Sequence, residues 1–368
     1  MKRIAQLILL LCVAVACRKE KIVEVEKPVY ITETHHWNPV SEFENYPSCK
    51  NVGNANYIGN GQIVFNCEGK YSIYDSTTNA YRFGTEVLSS EIQKTPLIQS
   101  KFFLSCSNYN SYIFIVPTKR LSNGWAAGSQ FYFPMKTIDP TFINFNFYEI
   151  NWWQHSEIIS TTKNKILISY KDSLNRPSIL LTQLIINDWS IYPGYDKVDS
   201  LYTKKISFPY PNYASGTRGV IGENLFFWMQ LRGTYRINYN NDTIFLGNYN
   251  LIDLFETNGK FYSITDEAGI KLKESSDSGA TWQDKVINLP SIFASLNYFN
   301  MDGRVFATYN SQIFEIVLGT ANLTTKEINN DGLTGNVITS VNKCNNKIIV
   351  STKSGVYYCN YSEFYQYK

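Results

Sequence analysis

The residues able to do chemistry are few and dispersed. The chain has three histidines, His35, His36 and His155. His35-His36 stand in a charged N-terminal stretch, where two solvated imidazoles need no metal, and His155 follows Trp152-Trp153. No H-E-x-x-H, G-x-S-x-G, P-loop or dinucleotide fingerprint occurs. Asp302 and Asp331 each precede Gly and read as turn residues rather than as an acid and its base. Past the N-terminal stretch the arginines are Arg82, Arg120, Arg176, Arg218, Arg232, Arg236 and Arg304. Rings are the stronger signal, with 27 Tyr, 22 Phe and 7 Trp. The segments 148–155 and 208–213 cluster them among Asn, Pro and Glu, a loop composition. Trp152, Trp153, Tyr210 and Tyr213 are therefore the candidate ligand contacts, since rings on loops stack on sugars or anchor protein partners. No catalytic set, metal site or cofactor is expected.

Residues 1–17 carry an address. Lys2 and Arg3 precede an apolar run from Ile4 to Val15, and Ala14-Val15-Ala16 has the small residues of a cleavage site. That run is too short to cross a bilayer, which takes about 20 residues. Cys17 then follows, and the segment resembles a bacterial lipobox, in which the Cys takes a lipid and becomes the new N-terminus. The strict pattern has Leu where Ala14 stands. The resemblance implies a signal peptide over 1–16, lipidation of Cys17 and a place in the cell envelope, the outer membrane of a Gram-negative bacterium. Residues 17–44, with alternating charges and Pro28, read as a tether.

Net charge is +3, or +1 without Lys2 and Arg3, so no basic field for nucleic acid exists. Past Cys12 and Cys17 the cysteines are Cys49, Cys67, Cys106, Cys344 and Cys359, an odd number with no C-x-x-C spacing. Cys49 with Cys359 is the candidate disulfide if the chain ends meet.

From about residue 45 the elements that must position any site are short β-like runs broken by Gly, Asn and Asp. Runs starting at Lys260, Arg304 and Lys347 recur at spacings of 44 and 43. Looser copies start near Gly61, Ser111, Asn164 and Glu223. A hairpin repeat of 40–50 residues is a propeller signature. The expected fold is all-β, a β-propeller over 45–368 with seven blades favoured and six as the alternative. Its ring is expected to close by pairing Cys49–Val52 or Tyr57–Gly59 beside Gly355–Tyr367.

Two motifs carry a family resemblance over about a third of the chain. Ser275, Asp277, Gly279, Thr281 and Trp282 match S-x-D-x-G-x-T-W, so the segment resembles the Asp-box (BNR) repeat of sialidase-like propellers. Asp331-Gly-Leu-Thr-Gly-Asn-Val with Lys347–Tyr358 resembles the repeat of sensor-type propellers. In sialidases the box is structural. The catalytic set is three Arg, a Tyr with a Glu partner and an Asp, and the F/Y-R-I-P motif has only poor echoes at Tyr81-Arg82 and Tyr235-Arg236. Triplets beginning at Asp75, Asp172, Asp199 and Asp242 resemble an O-glycosylation sequon of envelope proteins. The reading favoured here is a non-catalytic propeller, anchored in the membrane by lipid, that binds a glycan or an envelope protein through loops on one face. A sialidase-type hydrolase and a sensor propeller serving a signalling partner are the alternatives.

Overall fold

The computed structural model describes residues 36–59, 61–67, 70–83, 102–107, 112–117, 131–134, 139–145, 158–161, 165–186, 198–208 and 215–368. Among them β1 (Asn38–Pro39) comes first. It is followed by β2–β5 (Val52–Gly59, Gln62–Cys67, Lys70–Asp75, Ala80–Phe83) and β6–β8 (Phe102–Ser107, Tyr112–Pro117, Phe131–Pro134). Next come β9–β13 (Phe142–Phe145, Ile158–Ser160, Lys165–Asp172, Pro177–Ile186, Val198–Ser207) and β14–β17 (Ser215–Ile221, Asn224–Met229, Gly233–Ile237, Thr243–Gly247). The chain ends with β18–β21 (Asn250–Thr257, Lys260–Asp266, Ile270–Ser275, Gln283–Leu289), β22–β25 (Asn297–Met301, Arg304–Tyr309, Gln312–Leu318, Leu323–Glu327) and β26–β28 (Ile338–Cys344, Lys347–Thr352, Gly355–Asn360).

Each group is one antiparallel sheet with its strands in chain order. Two departures occur: β9 and β10 share one edge of β11, and β1 lies outside β28. The first strands meet in sequence, β26 beside β2, β6 beside β10, β10 beside β14, β14 beside β18 and β18 beside β22. This is a β-propeller whose first strands line the centre. The seven repeated runs of the sequence are second strands, since Gln62, Tyr112, Lys165, Asn224, Lys260, Arg304 and Lys347 open β3, β7, β11, β15, β19, β23 and β27.

Local chemistry explains the hairpins. Asn258-Gly259 and Asp302-Gly303 both place two successive residues in the left-handed region, the type I′ geometry that matches strand twist. Among the described residues no backbone ladder joins one sheet to the next, so side chains bridge the gap. Asn342 donates to the Ala55 carbonyl and accepts from the Tyr57 N–H, fastening β26 to β2. Asn300 makes the same two-way clasp on Glu256, joining β22 to β18. Thr234 accepts from Leu251 N–H and donates to Tyr249 carbonyl, and Lys165 donates to the carbonyls of Asn238 and Tyr239. Apolar clusters fill the same gaps. One holds Leu167 and Leu181 against Phe227, and another holds Phe255 and Tyr262 against Tyr298 and Ala307.

The ring closes through a segment expected to be tether. Asn38 and Pro39 pair with Tyr358 and Tyr357. Pro39 is tolerated because an outermost strand needs no donor on its free edge. Trp37 is fully buried, its N–H donating to Asp331 and its indole to Asn329 at 2.8 Å. The expected boundary at residue 45 is thus too late, because Trp37, Val40 and Phe43 are all core residues. Cys49–Val52 and Tyr57–Gly59 do not close the ring, since Val52–Gly59 is the inner strand of the first sheet. His36, read above as solvated, lies partly buried against the Trp37 ring, and burial lowers its pKa. The first described residues and the C-terminal segment converge here, with Phe364 packed edge-on against Trp37 at 6.1 Å.

Trp37→Ala is expected to lower unfolding stability by about 3–5 kcal/mol. Chemical denaturation checks this, and a loss below about 1 kcal/mol contradicts the closure described.

Candidate functional site

Strand direction alternates outward through each sheet, so turns fall on two sides. First-to-second and third-to-fourth turns lie on one side. Second-to-third turns and the connections between sheets lie on the other.

The turn between β20 and β21 belongs to the first side and gathers Ser275, Asp277, Gly279, Thr281 and Trp282. Asp277 accepts from the Thr281 N–H at 2.8 Å and hydroxyl at 2.6 Å, and from the Ser275 hydroxyl. Burial opposes ionisation of Asp277, but the Thr281 and Ser275 bonds outweigh it and hold the carboxyl at about 2. Gly279 has a φ of +77°, and a Cβ there would sit 2.5 Å from the Phe226 ring. Trp282 lies edge-on to that ring and packs on the cluster of Ile221, Phe226, Tyr249, Leu251 and Leu254, so this turn seals its sheet to the preceding one. The polar side chains of Ser275, Asp277 and Thr281 are bonded to one another and to the backbone of the turn.

The same device recurs without the full motif. Asp75, between β4 and β5, accepts from the Thr77 N–H and hydroxyl and from Gln62, which hold it at about 2. Asp172 is buried and accepts from Leu174 N–H and from Arg176 at 2.7 Å. The first residues of two sequon-like triplets are therefore turn anchors.

Tyrosine–carboxylate pairs are present, and their phenols are held protonated. Tyr262 donates to Glu274, and burial together with that carboxylate pushes its phenol up to about 12. Tyr170 donates to Asp139, and burial first, then the bond, raises it further. The arginines are also dispersed. Arg82 lies on the outer strand β5, Arg176 and Arg232 in turns, Arg236 on β16 and Arg304 on β23. Among the described residues Arg218 is the one arginine on a first strand. It is 2% exposed, donates to the Leu251 carbonyl and covers Trp228. No cluster of three or more metal-ligating side chains occurs among the described residues.

The second side offers something different. Its turns display Leu174 between β11 and β12, 62% exposed, and Leu231 between β15 and β16, 77% exposed. The connection from β21 to β22 shows Ile292 at 41%. Leu231 has a φ of +58°, whereas the equivalent turns use Asn175, Ala268 and Asn310 at that conformation. A bulky side chain is disfavoured there, and this one also stands in water. As ligand contacts these three residues escaped the sequence reading because a single aliphatic side chain in a turn or connection carries no periodic signal.

Of the residues singled out in the sequence, Cys17, Trp152, Trp153, Tyr210 and Tyr213 lie outside the described residues. Cys49 and Cys359 are not brought together. Val356 and Tyr358 face the cluster that holds Cys49, while Tyr357 and Cys359 face the cluster around Trp37. Strand alternation puts the two thiols on opposite faces of one sheet.

No family model matches the chain, and no curated protein matches it. Solved structures do. The chain is similar to a structure of YCF48 bound to D1 peptide, at 8% identity and a TM-score of 0.49, covering 89% of this chain and 97% of that one. Apo AztD from Citrobacter koseri follows at 10% identity and 0.47, covering 86% and 84%. The extracellular domain of the putative hybrid two component system BT4673 from B. thetaiotaomicron matches at 10% identity and 0.47. This chain covers 88% of itself in that match and spans 40% of that longer protein.

Asp75, Asp139, Glu274 and Asp277 all have folded values near 2, below unfolded values of 3.8 for Asp and 4.5 for Glu. Depressed carboxylates stabilise above the unfolded value and lose that stability as pH falls through the folded one. Stability is therefore expected to be level above about pH 5 and to fall steadily towards pH 2. Denaturation midpoints across that range test this, and a flat profile contradicts it. Trp282→Ala is expected to cost about 2–4 kcal/mol and to leave ligand binding unchanged, so lost binding without lost stability would assign that turn a direct role.

Proposed function

We propose that this chain is a non-catalytic binding propeller of the cell envelope, tethered by lipid on Cys17 and engaging a protein partner through the side that carries Leu174, Leu231 and Ile292. The exposed left-handed leucine carries this reading. Residues that keep both a backbone cost and an apolar exposure cost cluster where another surface relieves them. Aliphatic side chains suit a protein surface better than a sugar, whose recognition draws on flat rings and polar groups. The leader supports the envelope address, and no helix among the described residues is long and apolar enough to cross a membrane.

Leu231→Asn is expected to raise stability by about 0.5–1 kcal/mol, because Asn tolerates the left-handed conformation. The same change, combined with Leu174→Asp, is expected to weaken partner binding at least tenfold. Photo-crosslinking from position 174 in envelope extract, followed by affinity measurement with the captured protein, reads the second effect. Unchanged affinity in the double variant, or tight binding on a glycan array with no protein captured, contradicts the proposal.

A further inference from the structure

The segment that closes the ring is tied down at a second point. After the helical turn Ser41–Glu44 the chain makes a 3-10 turn, Pro47–Cys49, in which the Cys49 N–H donates to the Tyr46 carbonyl at 2.8 Å. It then enters β2, whose first residue Val52 pairs with Cys67, the last residue of β3. This backbone register carries Cys49 over the end of β3. The two side chains are 1% and 0% exposed, lie in one apolar cluster and are in hydrogen-bonding contact.

Of the other described cysteines, Cys106 lies on β6, in a different sheet, and neither Cys344 nor Cys359 competes. The Cys344 thiol donates to the Gly61 carbonyl at 3.2 Å, at the far end of β3. A strand of that length spans about 17 Å. Cys359 points into the opposite cluster. The bond from Cys49, and then burial, raise the Cys67 pKa strongly, so its thiol ionises poorly in the folded chain and reacts more readily before the core closes.

We propose that Cys49 and Cys67 are a disulfide-forming pair, which staples the closing segment that bears Val40 and Phe43 to the first sheet. Each thiol loses its hydrogen and one sulfur–sulfur bond forms. The two electrons and two protons pass to a disulfide oxidant, which becomes two thiols. In the cell this oxidant is a thiol–disulfide oxidoreductase of the envelope, and for that source alone the inference rests on the location proposed above. Disulfides persist in such oxidising compartments.

The test refolds the full chain in a buffer of reduced and oxidised glutathione, then digests it with trypsin without reduction. The expected product joins peptide 22–50 to peptide 51–70, lighter by two hydrogens than their sum. Cys49→Ser and Cys67→Ser are each expected to lower Tm by several degrees in oxidised protein but not in reduced protein, and Cys359→Ser to leave the oxidised–reduced difference intact. Recovery of Cys49 and Cys67 as thiols or glutathione adducts, or of Cys49 joined to Cys344 or Cys359, overturns the pairing. The same map on protein taken from cells with thiols blocked first separates the two readings. A linked peptide supports both, while thiols there with a bond in vitro contradict the envelope location and leave the pairing standing.

Discussion

A propeller has no continuous ladder holding its sheets together, so the whole assembly depends on how the last sheet is joined to the first. Here the join is two residues of strand, Asn38–Pro39, with the buried Trp37 beside them. The hydrogen bonds are few, and the enclosed apolar surface does most of the holding. Trp37, Phe306, Leu333, Ile348 and Phe364 form one cluster to which the closing segment and the C-terminal segment both contribute. The tail adds its own fastening, as Tyr367 bridges to Ile328 and Lys368 reaches Glu327 at 2.7 Å.

The remaining gaps are bridged in a way that fixes distance and register together. An Asn side chain that both donates to and accepts from one neighbouring strand acts as a one-residue substitute for a β-ladder. Asn342 and Asn300 do this in two gaps, while Thr234 and Lys165 anchor two others. Where these bonds are buried or half-buried, as from Asn342 to Ala55 and at Thr234 and Lys165, leaving either partner unpaired costs more than the bond itself contributes. The result is a stiff ring whose second-to-third turns present Leu174 and Leu231 from fixed positions. A preorganised surface of this kind loses little entropy on binding.

Much of the architecture was legible because it rests on local signals. The Asn-Gly and Asp-Gly turns at 258 and 302 and the apolar run after each are written within a dozen residues, and all seven recurring runs are second strands of sheets. What escaped depends on distant partners. Asn38–Pro39 has no strand signature of its own and pairs only because Tyr357 and Tyr358 await it. The pairing of Cys49 with Cys359 assumed that meeting chain ends bring thiols together. Strand parity sends Cys359 to the other face, and the register of Val52 with Cys67 brings a different thiol close. Asp277 was legible in motif and chemistry, whereas Leu231 was hidden because its oddity is a backbone angle that sequence does not display.

The central claim is that the N-terminal segment is part of the fold and closes it. Hydrogen exchange at the Trp37 and Val40 amides tests this directly, since they donate to Asp331 and Val356 at 2.9 and 2.8 Å. Both are expected to exchange as slowly as amides of the adjacent β28, by unfolding of the whole ring. Fast exchange at Trp37 and Val40 beside a protected β28 would contradict it, showing a segment that rests on the propeller without holding it shut.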